Sequence, residues 1–363
     1  MMNLCIDNII FSLQKTGGIS VVWYELIKRL LNSNEILNLK FVDSLSLENI
    51  HRKKILIPSN LILFSSKYIC KICERYLSVR INTNQSFIFH SSYYRTCKNR
   101  NSINIVTVHD FTYEYYNKGL KKWIHQWQKY NAIRRADYII CVSNNTKKDL
   151  LKFLPDVNEH RIEVVYNGVS EEYGALPKHL LRKLPYCNSK YILFVGSRAI
   201  YKNFFLAAEA VSQTNLKFII VGTLLNKKEI EKMDQYFNNR DQYYCTGRIS
   251  NEELNLLYNQ AFALLYPSMY EGFGIPVLEA QKSGCPVIAY NSSSIPEIIG
   301  DTPTLMSVPS SNEIIRCINL LKDQDVRLKV IVTGFENVQR FSWDNMYCGV
   351  INVYKKAWEL KNK

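Results

Sequence analysis

Two glutamates eight positions apart, Glu271 and Glu279, bracket a loop that contains Gly272 and Gly274. The apolar run Phe262-Ala-Leu-Leu-Tyr266 predicts a strand leading into that loop. Pro276 suits the first turn of a helix. That helix would hold Glu279 in its first turn and end near Gly284, before a second strand over 285–289. Glycines ahead of a helix N-terminus let the backbone approach a ligand, and the free N–H groups and the helix dipole favour negative charge. In open α/β sheets ligands lie beyond the carboxyl ends of strands, where this loop must be. Both glutamates would reach one crevice there as hydroxyl acceptors. The spacing alone also fits a dipole partner at 279 and a solvated residue at 271.

The elements around this loop repeat a simple alternation. Strands are expected at 4–11, 87–90, 103–108, 138–142 and 162–166, and then at 191–195, 217–221, 243–246, 262–266 and 287–289. Helical patterns lie between most of them; 251–260 has Ser250 as N-cap and Glu253 three residues on, a capping box. Such alternation argues for an α/β protein with parallel sheets covered by helices on both faces. The 363 residues divide into two Rossmann-like domains, expected at 1–170 and 171–342. They meet at the polar stretch after Asn167-Gly168, and a C-terminal helix over about 343–363 is expected to pack back on the first domain.

Hydrophobic residues are 47 % and charged residues 21 % of the chain, a globular composition. No apolar run of spanning length occurs, and Asp7 interrupts the N-terminal stretch, which also lacks the basic start of a signal peptide. The ten cysteines read as free thiols of a reducing compartment, and Cys70-x-x-Cys73 as a helical packing pair. Net charge is +14, and it is uneven. Residues 1–170 hold 24 basic and 13 acidic side chains, whereas the remainder holds 22 and 19. A basic half points to an anionic partner, with nucleic acid, anionic lipid and polyphosphate substrates all open at this point.

The motifs taken together are more specific. Glu271-Gly-Phe-Gly-Ile-Pro-Val-Leu-Glu279, followed by Gly284-Cys-Pro-Val-Ile288, resembles the Glu-x7-Glu signature of glycosyltransferase family 4, retaining GT-B enzymes that use nucleotide-diphosphate sugars. The resemblance continues in Gly17-Gly18-Ile19-Ser20, in Val106-Thr-Val-His109-Asp110 and in Val165-Tyr-Asn167-Gly168. Phe194-Val-Gly196-Ser-Arg198 to Lys202-Asn203 and Pro296-Glu297-Ile-Ile-Gly300 extend it. It implies a GT-B architecture, with two parallel sheets facing a deep interdomain cleft, an acceptor-binding first domain and a donor-binding second one.

The same resemblance implies roles for single residues. Arg198 and Lys202, four apart on a starting helix, would clamp the donor diphosphate and stabilise the leaving group. Glu271 would contact the donor sugar, Glu279 the ribose, and the amides of Gly272, Phe273, Gly274 and Ile275 the sugar and phosphates. Arg248 and Ile249 would lie against the nucleobase, and Gly17 and Gly18 would face the diphosphate. His109 would position the donor sugar. Asp110 would orient the acceptor or His109, and His90 and Arg95 are candidate acceptor contacts. Asp323-x-Asp325 matches a metal-binding DxD only formally and reads as a solvated turn, so no metal or other cofactor is expected. The segment Leu305-Met-Ser-Val-Pro309 lacks the acid that relatives often carry before the proline.

The resemblance further implies hexosyl transfer with retention, GDP-mannose being the first donor expected and UDP-hexoses the next. The acceptor would be a polyprenyl-diphosphate-linked oligosaccharide of bacterial O-antigen or other surface-polysaccharide assembly. The basic half then reads as the membrane-facing one, on the inner face of the cytoplasmic membrane, and nucleic acid drops out for want of a recognition module. Two segments carry that expectation. Lys67, Lys71 and Arg75 line one face of a helix over 67–80, with Ile69, Ile72, Cys73, Tyr76 and Leu77 on the other. Lys121-Lys-Trp123 to Trp127-x-Lys129-Tyr130 interleaves cations and aromatics. Ordinary amphipathic helices account for both segments as well. A non-catalytic GT-B-like subunit and a Rossmann oxidoreductase are the competing functions; the second lacks Gly-x-Gly-x-x-Gly after a strand.

Overall fold

A computed structural model describes residues 1–44, 48–64, 71–182, 184, 186–187 and 189–361, apart from the side chains of residues 71 and 72. The chain forms two compact units, Met1–Gly168 with Trp343–Lys363, and Val169–Ser342. The first holds strands β1 (Met2–Asp7), β2 (Ile36–Asp43), β3 (Ile62–Phe64), β4 (Phe87–Ser91), β5 (Ser102–Val108), β6 (Tyr138–Cys141) and β7 (Ile162–Val164). They pair in parallel in the order β3-β2-β1-β4-β5-β6-β7. The second holds β8 (Tyr191–Val195), β9 (Lys217–Val221), β10 (Tyr243–Gly247), β11 (Ala263–Tyr266), β12 (Val287–Tyr290) and β13 (Leu305–Met306). Their order is β10-β9-β8-β11-β12-β13, again parallel.

Each order reverses once, between β1 and β4 in one sheet and between β8 and β11 in the other. At such a switch point the loops leaving two adjacent strands turn to opposite faces and open a crevice. The central strands are buried throughout, β5 and β11 at every residue, which is why they read as continuous apolar runs. The strands absent from the expectation are the edge strands β3 and β13, and β2, which lies next to β3. β2 buries only its last three residues and interposes Asn38 and Lys40, while β3 and β13 are three and two residues long.

Several local expectations need correction. The first strand stops at Asp7, because Asn8 turns its side chain to Asp43 Oδ1 (2.7 Å) and to the indole N–H of Trp23 (2.9 Å), and Ile10–Leu13 begins a helical turn. Ser250 does cap Asn251–Gln260, but Glu253 takes the Tyr186 hydroxyl at 2.5 Å instead of closing the box. The helix expected over 67–80 is Lys71–Glu74. Lys67, Ile69 and Cys70 lie outside the described residues, while Cys73 and Leu77 face solvent rather than a core. Helix Trp343–Lys361 belongs to the first unit, where it buries Trp343, Met346, Val350, Ile351 and Tyr354. Gly349 lets it lie flat, since a Cβ there would stand 2.8 Å from Val165.

Candidate active site in the second unit

The switch point of the second unit collects most of the charged residues singled out by sequence. The loop after β8 runs through Gly196 and Arg198 into a 3-10 turn, Ile200–Lys202, and the α-helix Phe204–Ser212 starts only after Asn203 adopts a left-handed conformation. Arg198 and Lys202 therefore lie on a loop and a tight turn, not on a starting helix. The loop after β11 carries Glu271, Gly272 and Gly274 into helix Ile275–Lys282. The two loops are tied together: Met269 N–H donates to Tyr201 O (2.7 Å), and Asn203 Nδ2 to Pro267 O (2.9 Å).

Lys202 Nζ forms a short ion pair with Glu271, beside the Tyr266 hydroxyl at 3.5 Å. One loop supplies the cation and the other the carboxylate, so the pair spans the crevice. Arg198 is engaged differently. Its guanidinium clasps Glu229 at 2.7 and 3.0 Å and donates to the carbonyls of Thr223 (2.7 Å) and Leu224 (3.0 Å). Glu229 is itself fixed by a capping box with Asn226 at the start of helix Lys227–Tyr236. The Arg198 hydrogen bonds hold its carboxyl below the ordinary glutamate range.

Gly274 has φ of 112° and leaves no room for a Cβ, which would meet Ile295 at 2.9 Å. Three serines that sequence reasoning passed over hold this loop. Ser292 Oγ donates to Met269 O (2.6 Å), Ser293 Oγ accepts from Glu271 N–H (2.8 Å), and Ser294 Oγ bonds the carbonyls of Glu271 and Phe273 (2.9 Å each). The run Asn291-Ser-Ser-Ser294 ahead of Ile295-Pro296 was the available signal. Phe273 is buried, and Ile275 opens the helix half-buried.

Glu279 is in the second turn of its helix, not the first. The Tyr258 hydroxyl donates to it at 3.0 Å and Tyr173 is a second partner. Burial outweighs these bonds and pushes its carboxyl up to about 7, poised between its two charge states. Arg248 is exposed and Ile249 half-buried just beyond β10. There Gly247 takes φ of 75°, and Gly222 packs so closely on Gly196 that a Cβ would meet the Gly196 carbonyl oxygen at 2.5 Å.

The remaining candidates belong to the first unit. Gly17 caps helix Gly18–Leu30; a Cβ on Gly18 would meet nothing within 4 Å, whereas one on Gly17 would meet Gln14 Oε1 at 2.5 Å, so the Gln14 side chain lies over the cap. His109, after β5, is buried, its Nε2 has no hydrogen-bond partner among the described residues, and burial lowers its pKa to about 4. Burial thus favours the neutral imidazole, whose enclosed Nε2 is left without a partner among the described residues. His90 differs: Nδ1 meets Tyr354 Oη at 2.7 Å and Nε2 meets Thr107 Oγ1 at 2.8 Å. Arg95 is buried between Asp7 (3.3 Å) and Glu74 (3.5 Å), so it too is structural. Asp110 accepts from Thr112 N–H at 2.9 Å. Asp323 caps helix Gln324–Val338 through the amides of Asp325 and Val326, which explains the DxD pattern as a helix start.

Comparison with known proteins agrees with this geometry. A family model for glycosyl transferases group 1 matches residues 182–336, and one for glycosyltransferase family 4 matches residues 48–173. The chain is 26 % identical to O-antigen chain mannosyltransferase B of Escherichia coli, over 93 % of this chain and 96 % of that protein. It is 27 % identical to O-antigen chain mannosyltransferase RfbU of Salmonella typhimurium, over 66 % of each. Among solved structures, Anabaena HepE in complex with UDP and glucose superposes with a TM-score of 0.71 at 14 % identity, covering 98 % of this chain and 100 % of that one. With the two family models adjoining along the chain and the fold matched over nearly its whole length, the protein belongs to the family 4, group 1 glycosyltransferases and is a glycosyltransferase of GT-B fold.

Proposed function

We propose that the protein transfers a mannosyl group from GDP-mannose, with retention, to a lipid-linked glycan in the assembly of O-antigen or a related surface polysaccharide. The relatives named above support the sugar and the pathway class. The observation that carries the site assignment is the Lys202–Glu271 pair across the second unit's switch point, beside the Gly272–Gly274 loop.

In this reading donor binding exchanges the pair. Lys202 turns to the diphosphate and Glu271 to the sugar hydroxyls, so neither charge is left uncompensated. Arg198, anchored by Glu229, adds positive potential at the phosphates, and the amides opening helix Ile275–Lys282 face them. Glu279 takes the ribose hydroxyls and Arg248 and Ile249 flank the base, while the family resemblance gives the amides of Gly17 and Gly18 a role at the phosphates. Neutral His109 orients the sugar. The C–O bond to the departing phosphate breaks ahead of full bond formation, through an oxocarbenium-like state. The phosphate oxygen takes the proton of the acceptor hydroxyl on the same face. The cationic side chains and amides meet the phosphate charge, so activity should persist in EDTA. The lipid-linked acceptor brings the enzyme to the inner face of the cytoplasmic membrane.

A thermal-shift screen with GDP-mannose, UDP-glucose and dTDP-sugars tests the donor. GDP-mannose should raise the melting temperature, and it should be hydrolysed slowly by the wild type but not by Arg198→Ala. No shift with any nucleotide sugar would overturn the reading.

A further inference from the structure

Helix Gly119–Arg135 is built with its polarity reversed. Its inward side buries His125, Gln128 and Lys129 beside Ala132 and Ile133. Most polar groups there are served: His125 Nε2 meets Tyr93 Oη at 3.1 Å, while its buried Nδ1 has no partner among the described residues. His125 stacks on Tyr113 with ring centres 3.9 Å apart, Gln128 donates to Arg75 O at 2.6 Å, and Lys129 reaches Glu114 at 3.2 Å and Asp110 O at 2.5 Å. Lys129 thus belongs to the interior, where burial lowers its pKa, and is not one of the surface cations the sequence suggested.

The outward side holds the apolar residues. Leu120, Trp123, Ile124 and Trp127 are 74, 71, 40 and 60 % exposed. Positions i, i+3, i+4 and i+7 form one stripe along a helix. Exposed lysines at 118 and 121 and an exposed Arg135 flank it, and none has an ion pair among the described residues. Trp127 also lines a recess of about 200 Å³ with Arg75, Tyr76, Gln128, Asn131 and Arg135. Arg75 is held there over the Tyr76 and Tyr93 rings, at 5.2 and 4.8 Å.

We propose that this outward face docks on an anionic phospholipid bilayer, seating the four apolar side chains at the headgroup–acyl boundary and one headgroup phosphate in the recess between Arg75 and Arg135. Tryptophans with flanking uncompensated cations match that boundary, apolar on one side and negative on the other. A second copy of the chain fits less well, since a stable dimer uses about 20–30 residues a side and the stripe offers four. The proposal deepens the lipid-linked acceptor reading and rests on it only for why the enzyme goes to a membrane.

Flotation with vesicles of phosphatidylglycerol and phosphatidylcholine in equal parts, against phosphatidylcholine alone, tests it without any sugar substrate. Wild-type protein should float with the anionic vesicles, and its tryptophan emission should be quenched by brominated acyl chains. Trp123→Ala with Trp127→Ala should lower partitioning about tenfold or more. Lys121→Glu with Arg135→Glu should remove the preference for anionic lipid. An unchanged melting temperature shows that the variants are folded. The proposal falls if the wild type stays with the solution, if the tryptophan variant floats as well as wild type, or if the stripe instead forms a concentration-dependent dimer that the same substitutions dissolve. Nucleotide-sugar turnover is a separate measurement, so failure of the donor reading and failure of this one are distinguishable.

Discussion

Both units reverse strand order once, and both bridge the crevice at that point with one cation–carboxylate pair. In the first unit Asp7, ending β1, meets Arg95, beyond β4, with 0 and 4 % of the side chains exposed. Glu74 and the Ser91 hydroxyl complete that network, and burial still raises the Asp7 carboxyl. In the second unit Lys202 meets Glu271 with 13 and 12 % exposed, between a loop held in shape by serines and a strained glycine. One topology therefore gives a fully buried pair and a partly exposed one. The buried one fixes the sheet, and the partly exposed one is where the proposed donor would trade places with the opposite charge.

The largest effects should separate the two pairs. Arg95→Met leaves Asp7 and Glu74 buried without their cation, which should cost about 3–5 kcal/mol of stability by urea unfolding. Lys202→Ala should lower kcat/KM for the donor by about 10²–10³, the size of losing one charge-stabilising group, and cost less stability than Arg95→Met, about 1–2 kcal/mol, because the pair keeps some contact with water. If Lys202→Ala unfolds the protein while Arg95→Met merely slows it, the comparison is reversed.

A smaller effect should sharpen the role of Glu279. Its folded carboxyl sits at about 7, above the ordinary glutamate range. The unfolded chain therefore loses this proton first, and the contribution to stability declines as pH rises from about 4.5 through 7. Ribose hydroxyls donating to the ionised carboxylate work the other way, so nucleotide affinity should rise severalfold between pH 6 and 8. Glu279→Gln should flatten that rise in a titration series; a variant with the wild-type pH profile would remove Glu279 from the site. Gly274→Ala changes no charge and should cost about 1–3 kcal/mol of stability from positive φ and the contact with Ile295. It should weaken nucleotide binding more than any matched substitution at Gly174, which has nothing within 4 Å of a Cβ.

How far the sequence reaches follows the same division. The central strands of the second unit were legible to within a residue because burial on both faces makes them continuous apolar runs. Strands β2, β3 and β13 were not, because short or half-solvated strands carry no such run. That Lys202 and Glu271 lie on loops leaving two strands was legible because each follows an apolar run within a few residues. Glu229 and Ser292–Ser294 were missed, although Asn226-x-x-Glu229 is a readable capping pattern, because a residue that acts through another leaves no charge pattern of its own. Lys129 was misread because spacing records that a lysine recurs with aromatics and not which side of the helix faces Glu114. His90 and Arg95 look like site residues for a similar reason, their partners Tyr354, Asp7 and Glu74 being distant in sequence.

The central claim is that the crevice of the second unit holds the donor's diphosphate through Lys202. Calorimetric titration of GDP into wild type and Lys202→Ala tests it most directly, with the melting temperature of each measured alongside. The account predicts at least about a tenfold loss of affinity, equivalent to about 1.4 kcal/mol, in a variant that stays folded at the titration temperature. GDP binding to Lys202→Ala with wild-type affinity would contradict it.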